Sequence, residues 1–210
     1  MLGIETIFII IVFLFSVIIH ELAHGWVALA LGDDTAKRAG RLTLNPINHL
    51  DPIGSILVPG LLILMSFLGA GGIIFGWAKP VPINPYNFRD RKWGGVKVAA
   101  AGPLSNISLA LIFGLSLRLI PGLVNVPGLF IIFLYIVEIN LLLAVFNLLP
   151  IPPLDGSHIL FAFLPKTAQR IRLLMTQYGF FFVLIAIFFF FDIIIRAVQF
   201  LTLLITGLGV

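Results

Sequence analysis

Residues 6–31 make one apolar tract of 26 residues, and its only ionisable groups sit together in FSVIIHELAHGWVAL, Phe15 to Leu29. About 20 apolar residues suffice for a helix to cross the ~30 Å hydrocarbon layer, so this tract spans a bilayer with some tilt. Gly32-Asp33-Asp34 then stops it with a turn signal. A chain committed to such a span must satisfy its backbone internally, which restricts it to helices or a closed barrel. Composition agrees with the helical choice: 60% of the 210 residues are hydrophobic and only 10% are charged. That leaves too little polar surface for a soluble monomer, and lipid becomes the main solvent. Two histidines and a glutamate inside such a tract are expensive, and intramembrane ionisable groups default to function.

Further apolar stretches run over 53–75, 96–120, 129–149 and 178–208, the last read as one long helix or a bent pair. The 53–75 stretch is broken by Pro59-Gly60 and by glycines from Gly69 to Gly72. In GWAKPVPINPYNFRDRKW, prolines 80, 82 and 85 exclude a continuous helix and favour extended backbone. Basic residues test the topology. Lys37, Arg38 and Arg41 follow the first span; Lys79, Arg89, Arg91, Lys92 and Lys97 precede the third; Lys166, Arg170 and Arg172 follow the fourth. Eleven of the thirteen Lys and Arg share one side if 53–75 returns to the side it left. The positive-inside rule favours that arrangement, with the basic loops cytoplasmic. The expected fold is an all-α polytopic membrane protein of about 4–6 transmembrane helices, with a re-entrant or extended hairpin near the active site. Residues 1–210 read as a single membrane domain without a soluble appendage. Glu5 stands where a signal peptide would carry basic residues, so the first tract is read as a retained span. The net charge of +4 is explained by the loops and gives no reason to invoke nucleic acid.

His20-Glu21-Leu22-Ala23-His24 fits H-E-x-x-H. On a helix, residues four apart share a face, so both imidazoles can converge on one metal with Glu21 beside it. His20 lies eleven residues before Leu31, about 16 Å from the end of the span at ~1.5 Å per residue. Cysteine is absent, so a metal must be held by histidine and carboxylate. Two neutral nitrogens suit zinc, which needs a third protein ligand and an open position for catalysis. Asp155 in PIPPLDG and Glu138 in the fourth span are the candidates; if 53–75 is re-entrant, Asp155 emerges on the side where the first span ends.

HELAH in the first span, AGPLSN at the start of the third and NLLPIPPLDG after the fourth together resemble the site-2 protease family of intramembrane zinc metalloproteases, peptidase M50. GWAKPVPINP resembles its compact branch, without PDZ or CBS domains. The resemblance implies one zinc ion per chain held by His20, His24 and Asp155, with Glu21 as catalytic acid/base and Asn147 assisting at the scissile peptide. It implies a substrate with a transmembrane segment and a multi-pass enzyme in the cell membrane.

Water must reach the site, so a polar cavity is expected around His20, Asn106, Asn140, Asn147 and Asp155. GGIIFGWAKPVP is expected to pair with unwound substrate as an added strand. The alternative is a membrane metal transporter or metal-binding protein using the same His/Asp cluster, which would tolerate loss of Glu21.

Overall fold

The computed structural model describes residues 4–51, 54, 57, 61 and 79–208. The interrupted stretch 53–75 and residues 71–78 of the expected hairpin fall, apart from positions 54, 57 and 61, outside the described residues. The α-helices are α1 (Ile4–Ala30), α2 (Thr35–Arg38), α3 (Gly94–Leu119), α4 (Pro121–Val124), α5 (Pro127–Asn147), α6 (Asp155–Phe163) and α7 (Gln169–Thr206). Among the described residues there is no strand, and α1, α3, α5 and α7 are long and apolar enough to cross a membrane. The protein is an all-α polytopic membrane protein. The last apolar tract is one continuous helix of 38 residues rather than a bent pair.

The turn signal after α1 takes a defined form. Gly32 has φ +106°, Gly32 N–H donates to Leu29 O at 3.0 Å and Asp33 N–H to Ala28 O at 2.9 Å. This is the Schellman pattern that closes a helix through a left-handed glycine. Asp33 then accepts from Thr35, Asn84 N–H and Asn87 Nδ2, and Arg89 N–H donates to Leu31 O at 2.8 Å. The chain therefore approaches α3 from the end at which α1 stops. Residues 84–89 thus lie against the end of α1.

Helix α3 is central: 44% of its most apolar window is buried inside the protein, against 17–28% for the other spans. Its contact with α1 pairs two i, i+4 stripes. Ser16, His20, His24 and Ala28 are buried on α1, and Val98, Gly102 and Asn106 on α3. Small residues let spanning helices approach closely enough for polar groups to meet across them. A Cβ on Gly114 would stand 2.6 Å from Ile205. On the far side, Ala110, Val137, Leu141 and Val198 form the apolar core joining α3, α5 and α7.

Candidate metal centre

Geometry brings the predicted ligands together. His20 Nε2 and His24 Nε2 stand 3.0 Å apart, and Asp155 Oδ2 lies 3.1 Å from the first and 3.3 Å from the second. Donors about 2.0–2.1 Å from a tetrahedral zinc stand about 3.3 Å from one another, so this triangle has the size of one face of such a site. The ring protons are committed elsewhere. His20 Nδ1–H donates to Asn106 Oδ1 at 2.6 Å, and His24 Nδ1–H to Val98 O at 2.6 Å. Both Nε2 lone pairs therefore face a carboxylate oxygen that is buried without a hydrogen-bond donor. Three acceptors with no proton between them fit a cation.

The partners behind His20 extend across three spans. Asn106 Nδ2 donates to Asn140 Oδ1 at 2.8 Å, and Asn140 Nδ2 to Ser16 Oγ at 2.9 Å and Ile136 O at 2.8 Å. Both asparagines are 0% exposed. This corrects the expectation that they line a wet cavity: they form a dry ladder that fixes the ring of His20. Gly102 faces the ligands directly, since a Cβ there would lie 2.4 Å from His24 Nε2 and 2.5 Å from His20 Nε2.

Asp155 begins α6 in a loop packed between two glycines. A Cβ on Gly156 would meet Leu148 O at 2.2 Å, and one on Gly179 of α7 would meet Pro152 O at 2.2 Å. Burial works against a charge on Asp155, and with both ring protons committed elsewhere a cation shared with the two Nε2 atoms would offset that cost. Glu138, the other candidate, is not part of the cluster.

A cavity of about 370 Å³ opens beside the triangle, lined among others by Glu21, Val81, Ala99, Asn147 and His158. Glu21 Oε2 accepts from Val81 N–H at 2.8 Å. Asn147 reaches the cavity wall while its Nδ2 donates to Leu143 O at 2.9 Å one turn back in α5. His158, one turn along α6 from Asp155, was not singled out from sequence, where a lone histidine after LDG carries no spacing signal.

Known proteins of one family resemble this chain. The model for Peptidase family M50 matches residues 120–191. A Bacillus subtilis (strain 168) protein with the provisional name zinc metalloprotease YwhC is 44% identical over 182 residues, covering 82% of this chain and 76% of its own. The chain belongs to peptidase family M50. Provisionally named zinc metalloproteases Rip2 of Mycolicibacterium smegmatis and MJ0611 of Methanocaldococcus jannaschii are 32% and 38% identical, covering 82% and 42% of this chain. The chain spans 63% of Rip2 and 46% of MJ0611. No solved structure matches. As an M50 member the protein is a site-2 protease relative and a zinc metalloprotease embedded in the membrane, and its cofactor is zinc. The transport reading falls away with that assignment.

Proposed function

We propose that this zinc metalloprotease hydrolyses peptide bonds in or beside transmembrane segments of other membrane proteins, in the cell membrane with its basic loops cytoplasmic. The depth of the site carries the reading. His20 lies ten residues before the end of α1 at Ala30, about 15 Å along the helix axis at 1.5 Å per residue. A bond cut there must be brought to that depth. His20, His24 and Asp155 hold the zinc, which when bound activates water and polarises the scissile carbonyl. Glu21 is the proton carrier: with Oε2 held by Val81 N–H, Oε1 takes the water proton and returns it to the leaving amine. One amide proton of Asn147 is spent on Leu143 O, and the second is available to the substrate carbonyl.

Substrate must arrive unwound, since a helix has no free backbone groups. Lys79–Ile83 runs without helix along the cavity and offers extended backbone on which an unwound substrate can pair. The main test uses purified protein with a single-span substrate. Glu21→Gln should retain zinc and lose cleavage by at least about 10³-fold, while His24→Ala should lose both; undiminished cleavage by Glu21→Gln refutes the mechanism. Replacing Trp77 by Ala should change cleavage kinetics at constant zinc content, and unaltered kinetics would remove the template role.

A further inference from the structure

Resting on Glu21 as the base, we propose that Arg41, in the loop after α1, is a positioning residue for catalysis: it clamps the backbone strap Lys79–Val81 so that Val81 N–H fixes Glu21. Four observations converge on it. Arg41 is only 7% exposed, and its Nη2 donates to Lys79 O at 2.6 Å and Pro80 O at 3.3 Å. No carboxylate lies within ion-pair distance of it among the described residues, and its Nε is buried without a partner. A buried guanidinium that neutralises no acid is costly to keep, so its use must lie in the two carbonyls it grips.

The strap is built to deliver one proton. In Lys79-Pro80-Val81-Pro82 the two prolines have no N–H, so Val81 carries the sole backbone donor between them. That donor is the one on Glu21 Oε2. The strap is also pinned upstream, where Lys79 N–H donates to His49 O at 2.9 Å and the ring of His49, 1% exposed, is bonded to Thr43 O at 2.8 Å. Finally, α1 makes room for it. Gly25 lies four residues after Glu21, on the same face, and a Cβ there would stand 2.5 Å from Leu42 and 3.1 Å from Val81. The loop after α1 thus reaches 38 residues forward to Lys79, and the strap it grips orients a side chain of α1 itself. Arg41 touches neither substrate nor ligand; it acts through the strap.

The test is a double-mutant cycle on the full-length zinc enzyme with a single-span substrate, reading kcat, KM, zinc per chain and melting temperature. A misplaced catalytic group costs about 10²-fold in rate, so Val81→Pro, which deletes the N–H, should lower kcat about 100-fold with zinc retained. Val81→Ala, which keeps the N–H, should lose at least about tenfold less. Arg41→Ala should lower kcat about 10- to 100-fold at near-constant KM, and Arg41→Lys, which can still reach one carbonyl, should recover part of it. Because both residues act on one bond, Arg41→Ala with Val81→Pro should be no slower than Val81→Pro alone, within about twofold. Multiplicative losses in the double variant, zinc falling together with kcat, or an Arg41→Ala enzyme at wild-type kcat would each overturn the proposal. Cleavage by Glu21→Gln would instead refute the assignment of the base, a separate failure.

Discussion

The two halves of the site are held by different means. The ligand half is fixed inside the bundle by side chains: Asn106, Asn140 and Ser16 brace His20 from three spans, and bare Gly102 lets α3 close on both imidazoles. The base half is fixed by backbone, with Val81 N–H on Glu21, the strap tied to Arg41 and His49, and Asn84 just beyond it held by Asp33. A zinc ligand tolerates little displacement, and packed spanning helices supply that rigidity. A base that must meet an incoming peptide is served by a loop that can be oriented without disturbing the metal.

That contrast predicts a separation of phenotypes. The largest effect is expected from Gly102→Ala, whose methyl would occupy the space between the ligand nitrogens and α3. Zinc affinity should fall by at least about 100-fold, and titration of the purified variant with zinc against a competing chelator reads it directly; a normal zinc affinity would break the account of the ligand half. Next, Asn106→Ala should weaken zinc binding about 10- to 100-fold by freeing the ring of His20, with Glu21 untouched. A variant that binds zinc normally but cleaves slowly would move Asn106 from the ligand half to the base half.

The smallest effect belongs to the strap. Asp33→Asn should leave zinc content unchanged and cost about 1–2 kcal/mol of stability, since the hydrogen bonds it weakens are charge-assisted. Burial opposes the Asp33 charge, but donors on Thr35, Asn84 and Asn87 outweigh it and hold the carboxyl below its usual range. A lowered folded-state pKa gives stability that is present above the ordinary carboxylate value and lost as pH falls through the folded value. The melting-temperature gap between wild type and Asp33→Asn should therefore be widest near neutral pH and close on acidification, and a gap independent of pH would exclude this charge as the strap's anchor.

Much of this architecture could be read from residue order. Apolar length gave the spans, and H-E-x-x-H put two imidazoles on one face. The ligand half was largely legible because helical periodicity converts spacing into geometry. AGPLSN marked α3 as special, yet periodicity could not say that its asparagine braces a ligand rather than lines a cavity, because that depends on which face of α3 meets α1. The base half was less legible. Pro-Val-Pro advertised a lone N–H, but nothing in the sequence near Arg41 announces a contact 38 residues away, because backbone carbonyls as partners leave no mark in residue identity.

The ladder of Ser16, Asn140 and Asn106 behind His20 has one more consequence. Serine and asparagine carry no formal charge at any physiological pH. A membrane potential does about 2.3 kcal/mol of work on each elementary charge moved through 100 mV, and on this ladder it has no charge to act on. The brace of His20 therefore offers the potential no charge to move, whether the membrane is energised or depolarised.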